Sequence, residues 1–200
     1  SCLPEVKAAL VALEQAHMVR LGDDGYRIPT PAEDDWERQR SALSAKPSDV
    51  NRIYAETVAD LWRPQPSHSL LDVKNFKAGL VLEGRHLEGG DILFHVTLAE
   101  AGAEFEASTK EARQRSQNEE QAVFWTAALT DAVDRESVEV YRSKEILARR
   151  ERGVRTQNES VLVAEERQRL RRHQDELKRL IKQALLTGSI FFRGNDRSPA

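Results

Sequence analysis

From Phe76 the period of the sequence changes to two, in the runs 80–83 and 92–98, whereas the long stretches after Asp131 keep helical spacing. That change of period constrains the fold more than any other feature. Side chains alternate faces along a strand and return to one face about every 3.6 residues along a helix. Leu80 and Leu82 alternate with Val81 and Glu83; after Gly89-Gly90-Asp91, the residues Ile92, Phe94, Val96 and Leu98 alternate with Leu93, His95 and Thr97. Read locally, the two runs predict a hairpin with one apolar face. Glu111 to Gln121 is polar and helical in pattern, and Ala122-Val123-Phe124-Trp125-Thr126 is a short buried strand. Strand pair, helix and strand define a small α+β domain over 74–129.

The segment before it, 1–43, opens with a helix in which Pro4 and Glu5 suit the first turn and Val6, Leu10, Leu13 and Val19 form an apolar stripe. Gly22-Asp23-Asp24-Gly25 then makes a tight turn, because glycine and aspartate tolerate positive φ. It joins Met18-Val19-Arg20-Leu21 to Tyr26-Arg27-Ile28 as a two-stranded ribbon. Thr30, Pro31 and Glu33 have the spacing of a capping box with proline at the first helical position. Helix, two-stranded wing and polar helix read as the C-terminal part of a winged-helix domain. Residues 44–73 read as a helical linker, capped at Ser48-Asp49 and broken by the proline-rich run from Arg63 to Ser69.

Residues 130–200 form a helical arm ending in a short apolar strand. One helix starts at Thr130 or Asp131 and ends near Gly153. A second runs from about Glu159 to Leu186, with Gly188 as its terminator. Val163, Leu170, Leu177 and Ala184 fall seven apart, but Glu166 and His173 stand where a coiled coil would place leucine. Ser189 to Phe192 is a strand or apolar plug, and 194–200 reads as a loose tail. The fold class is therefore α+β and mostly helical, with a partial winged helix, a small sheet-containing domain and long C-terminal helices. Charged residues at 32% and aromatics at 6% agree with solvated helices.

The net charge of −3 conceals a division of the chain. Residues 1–141 hold 15 basic and 25 acidic side chains, net −10, and residues 142–200 hold 15 and 8, net +7. Such a chain reads as an acidic body with a basic arm that meets nucleic acid or an acidic partner. No apolar run approaches the roughly 20 residues that span a bilayer, and no apolar stretch follows a basic start as in a secretory signal, so no membrane partner is expected. Cys2 is the single cysteine, which rules out an intramolecular disulfide and a cysteine-based zinc site. The first residues already lead into a helix without an initiating methionine. The chain is thus expected to be an excised piece of a longer protein from a reducing, cytoplasmic setting.

The chemistry-bearing motifs are few. No G-x-x-x-x-G-K-[ST] occurs, and the glycines at 84 and 89–90 read as turn residues needing positive φ. His86 and His95 could face each other across the expected hairpin, but an ordinary strand histidine is the stronger reading, so no metal site is assigned. There is no nucleophile elbow, Cys2 has no histidine nearby, and no catalytic residue is assigned. Two groups of cations remain as candidate nucleic-acid contacts. Arg20 and Arg27 lie on the wing, where Asp23 and Asp24 offset them, and Lys7 is the one cation of the helix before it. Arg167, Arg171, Arg172, Lys178, Arg179 and Lys182 cluster on the last helix, with Arg171, Lys178 and Lys182 on one side and Arg172 and Arg179 on the next. A solvated helix laced with Glu165, Glu166, Asp175 and Glu176 is the competing explanation of that cluster.

Several strings also resemble a known family: Tyr26-Arg27-Ile28-Pro29-Thr30 through Trp36-Glu37; Gly84-Arg85-His86-Leu87-Glu88-Gly89-Gly90-Asp91; Val123-Phe124-Trp125 leading to Tyr141-Arg142-Ser143-Lys144; and Ala184 to Gly188 with Phe191-Phe192-Arg193-Gly194. Together they resemble the middle region of the large P-loop ATPase of BREX and phage growth limitation systems, the BrxC/PglY type. The resemblance implies a cytoplasmic bacterial defence protein that acts with other defence proteins on DNA, its ATP and Mg²⁺ held by a module elsewhere. The segment itself lacks the nucleotide motif, so no cofactor is expected within it. It would be a non-catalytic scaffold linking the ATPase module to DNA or partners, possible homo-oligomerisation included. The alternative is a stand-alone winged-helix regulator that binds DNA and self-associates through its C-terminal helices. A small hydrolase is disfavoured by the missing nucleophile–base pair.

Overall fold

The computed structural model of the protein describes residues 3–16, 18–22, 25–150 and 156–198. The chain is α+β and mostly helical, with a small mixed sheet and a long C-terminal helix. It divides into two compact units, residues 1–44 with 142–169, and residues 45–141 with 170–200.

The first unit begins with α1 (Leu3–Gln15), followed by β1 (Arg20–Gly22) antiparallel to β2 (Gly25–Arg27), and then α2 (Pro31–Ser41). This is the helix, ribbon and helix order read from the sequence; Asp23 and Asp24, at the turn, lie outside the described residues. The capping box forms as expected. The Glu33 amide donates to Thr30 Oγ1 at 3.4 Å and the Thr30 amide donates to the Glu33 carboxylate at 2.6 Å. The apolar stripe of α1 remains largely exposed at Val6 and Leu13. Buried apolar residues of this unit are instead Trp36 and Leu43, Ile146 and Leu147 of α5 (Asp131–Arg150), and Leu162 and Val163 of α6 (Gln157–Leu186). The expected end of α5 at Gly153 lies outside the described residues.

The second unit contains α3 (Pro47–Leu61), β3 (Ser67–Leu70), β4 (Lys74–Leu82), β5 (Arg85–Glu88), β6 (Ile92–Glu100), α4 (Ala103–Asn118), β7 (Ala122–Leu129), residues 131–141 of α5, residues 170–186 of α6, β8 (Ser189–Phe192) and β9 (Asn195–Asp196). The segment expected as a helical linker is part of this fold. Helix α3 buries Ile53, Tyr54 and Val58 in the main core, beside Leu80, Leu82, Val96, Val133, Val140, Leu177 and Ile181. It starts at Pro47, one residue before the expected cap, and the Asp49 carboxylate accepts the Lys46 amide at 3.2 Å.

The hairpin expected from 80–82 and 92–98 is not there. Strands β4, β6 and β7 run parallel, while β5 lies antiparallel on the other edge of β4. Val81 is thus the register partner of both His86 and His95. Alternating apolar residues are compatible with either direction of pairing, and β5, reading Arg-His-Leu-Glu at an exposed edge, is too polar to signal a strand. To reach β6 the chain must pass over β4, and it does so where two glycines meet. A Cβ on Gly90 would lie 2.2 Å from the Gly79 amide nitrogen. Gly84 does hold the positive φ expected of it, at 75°; Gly89 and Gly90 do not, so close approach explains the latter.

Helices cover both faces of the sheet. Leu80, Leu82, Val96, Ala127 and Leu129 meet α3, α5 and α6, whereas Phe124 and Ala122 pack with Ala112 of α4 and Phe191 of β8. The expected loose tail is partly ordered structure: β9 pairs with β8, and the Arg197 amide donates to the Ile190 carbonyl at 2.7 Å.

Candidate functional site

Helix α6 is long because its residues from Gln157 to Leu186 include no glycine or proline, and its apolar positions recur at helical spacing. The two polar residues that interrupt its heptads are used internally. In the first unit, Glu166 accepts hydrogen bonds from Trp36 Nε1 at 3.0 Å and Arg40 Nε at 2.9 Å, and Arg40 also donates to Ser143 Oγ at 3.3 Å. Burial alone would push the Glu166 carboxyl up. Hydrogen bonds from Ser143 and Trp36 and the charges of Arg169 and Arg40 outweigh it and hold the carboxyl below its usual range. In the second unit, His173 Nδ1 lies 2.7 Å from the Glu136 carboxylate.

The expected nucleic-acid contacts fall into three groups. Arg20 and Arg27 are register partners across the β1–β2 ribbon, and their side chains lie outside the described part of the structure. Lys178 is ion-paired with Asp60, and Arg179 makes two hydrogen bonds with Glu176 at 2.8 and 2.6 Å. Arg167 is exposed but is also engaged within the chain. Arg171, Arg172 and Lys182 are exposed and have no ion-pair partner among the described residues. At about 100° per residue, Arg171 and Lys182 stand on one side of α6 and Arg172 on the adjoining side. Among the described residues these three, half of the six cations expected on α6, have no ionic partner.

A second site was not foreseen. Outside the carboxyl ends of β4, β6 and β7 lies a cleft of about 850 Å³. Open sheets of parallel strands commonly bind ligands at that end. Leu82, Leu98 and Leu129 form its apolar floor, and the starts of α3, α4 and α5 supply Pro47, Glu104 and Asp134. The rim carries Glu83, Glu100, Glu104 and Asp134 against Arg52 and Arg85, so acid predominates. Tyr54 donates to Asp134 at 2.6 Å; burial, then that hydrogen bond, hold its phenol protonated well above the ordinary range. Glu83 accepts the Leu98 amide at 2.6 Å. The residue is exposed at the rim, but partial desolvation of its carboxyl, together with the charge of Glu104, raises the pKa although that bond opposes the shift. Nothing in the local pattern marks these residues as neighbours, because they meet only when β4 and β6 are parallel.

His86 and His95 flank Val81 from opposite edges of β4, so they do not face each other as a hairpin would place them. His95 stacks on Phe124 with ring centroids 4.9 Å apart, and burial, then the charge of Arg115, lower its pKa. Among the described residues no group of three His, Cys, Asp or Glu side chains is placed to hold a metal ion. No helix among them is long and apolar enough to cross a membrane. Comparison with protein-family models, curated proteins and solved structures gives no match.

Proposed function

We propose that this chain is a non-catalytic coupling segment of a cytoplasmic bacterial anti-phage defence ATPase, meeting DNA through the basic side of α6. The resemblance of its strings to the BrxC/PglY type supports the context; ATP and Mg²⁺ would belong to a module of the parent protein. One observation carries the DNA reading. On a helix where Lys178 and Arg179 have acidic partners, Arg171, Arg172 and Lys182 have none among the described residues. Exposed, unpaired cations along one helix suit phosphates, whose counterions they release.

The test is duplex binding by fluorescence anisotropy over a series of salt concentrations. Arg171→Gln, Arg172→Gln and Lys182→Gln together should weaken binding and flatten the salt dependence by about 0.9 in log–log slope per lost phosphate contact. Arg20→Gln with Arg27→Gln should leave both unchanged. The reverse pattern would support the stand-alone winged-helix regulator instead, and absence of binding by the unaltered chain would leave partner proteins as the target of the arm.

A further inference from the structure

Residues 66–77 leave the sheet as a two-stranded ribbon in which every residue except Phe76 is exposed. Strand β3 has β4 as its one neighbour among the described residues. Its backbone direction follows from the register and one further bond. Ser67, His68, Ser69 and Leu70 lie opposite Lys77, Phe76, Asn75 and Lys74, and the Ala78 amide donates to the Pro66 carbonyl at 2.9 Å. Hydrogen-bonded pairs alternate along an antiparallel ladder, so they fall at Pro66, His68 and Leu70. The amide and carbonyl of Ser67 and of Ser69 therefore point away from β4. Proteins usually blunt such an edge with charge, proline or a bulge. The edge strand β5 carries Arg85, His86 and Glu88, whereas β3 contains no Lys, Arg, Asp or Glu and keeps a regular register. The donor missing at Pro66 is on the inward side. The Ala78 carbonyl it would have met accepts Trp62 Nε1 at 2.9 Å and Gln65 Nε2 at 3.1 Å instead.

We propose that β3 pairs antiparallel with β3 of a second copy about a two-fold axis at His68. Ser67 of each copy then exchanges hydrogen bonds with Ser69 of the other, which satisfies the outward amides and carbonyls of both strands. The two His68 side chains meet at the axis. The occupant is a second copy because what flanks the edge is complementary to itself under this pairing. Leu70 and Leu71, 51% and 85% exposed, fall against Pro66 and Gln65 of the second copy. One residue further, Asp72 comes beside the second copy's Arg63. Both are exposed, and neither has an ion-pair partner among the described residues. The two-fold axis makes that charge match twice. Lys74 and Lys77 stand on β4, one strand back from the seam and on opposite faces, so the lysines do not oppose each other across it. The contact joins the same patch on both copies and closes at two. Its seam is a few residues long, well below the roughly 1,600 Å² of an ordinary interface, so the dimer is weak and dissociates on dilution.

Sedimentation equilibrium of the full chain, over dilutions from about 1 mM, tests this. The average mass should rise with concentration from one copy to two and stop there. Ser69→Pro removes an outward amide that β4 does not use, so the ribbon stays folded, as circular dichroism would check. Two bonds per dimer are lost, and affinity should fall about tenfold or more. Arg63→Gln and Asp72→Asn should each weaken the dimer about threefold, and the double variant no more than either, as expected of one shared pair. Asparagine tolerates the positive φ of 56° at that position. Amide exchange at Ser67 and Ser69 should slow as concentration rises, while His68, already bonded to β4, stays unchanged. A chain monomeric at every concentration, a mass beyond two copies, a dimer indifferent to Ser69→Pro, or charge variants whose effects add would each overturn the proposal. So would a Ser69→Pro chain that loses duplex binding at unchanged mass, since the ribbon would then be a nucleic-acid arm.

Discussion

Glu166 is 2% exposed and Arg40 5%, so their ion pair is withdrawn from water together with the Trp36 indole. Removing Glu166 leaves Arg40 the longer contact to Glu37, at 3.7 Å, and takes away the acceptor of the buried Trp36 indole. Glu166→Ala should destabilise the first unit by about 3–5 kcal/mol, read by chemical denaturation. The pair also sets an acid limit. Because the folded carboxyl lies below its ordinary 4.5, its contribution is complete above that value and is lost as pH falls through the folded pKa. Glu83 has the opposite sign. Its folded pKa is raised from 4.5, so the penalty is absent at low pH and grows as pH climbs through the folded value. Glu83→Gln should therefore be more stable than the unaltered chain at neutral pH, with the difference shrinking toward pH 4 in thermal melts. Glu166 and His173 were visible in the sequence as interruptions of a leucine pattern. Their partners, 126 residues from Glu166 at Arg40 and 37 from His173 at Glu136, were not.

Helices and caps are local, and the elements that depend on neighbouring residues were the legible ones. Thr30 and Glu33 announce the start of α2, and the seven-residue spacing in α6 marks a buried side at Val163, Leu177 and Ala184. Strand direction is a long-range property, so alternation between 80 and 98 could not distinguish a hairpin from parallel pairing. The same gap concealed the strand-end cleft. Gly188 illustrates a residue located correctly for a different reason. It does follow the end of α6, but a Cβ there would stand 2.3 Å from the Thr126 carbonyl oxygen and 3.1 Å from Trp125 Nε1. Gly188→Ala should thus push β8 off β7, costing about 1–3 kcal/mol as overpacking does. Faster amide exchange at Phe191 and Phe192 than in the unaltered chain would register it.

At the scale of the whole chain, the division between an acidic first part and a basic last part was readable by counting, and the last helix does carry the free cations Arg171, Arg172 and Lys182. Counting could not say which cations were already committed, since Asp60, the partner of Lys178, is 118 residues away. The three Gln substitutions on α6 alter exposed side chains, so thermal stability should stay within about 0.5 kcal/mol while DNA affinity falls. Sheet order has a temporal consequence as well. Strand β7 ends at Leu129, yet its neighbour β8 begins at Ser189. On a ribosome adding about 5–20 residues each second, that edge of β7 waits roughly 3–12 seconds for its partner. Until then the nascent chain displays an unpaired strand containing Phe124 and Trp125, the interval in which a chaperone or a neighbouring nascent chain would find it.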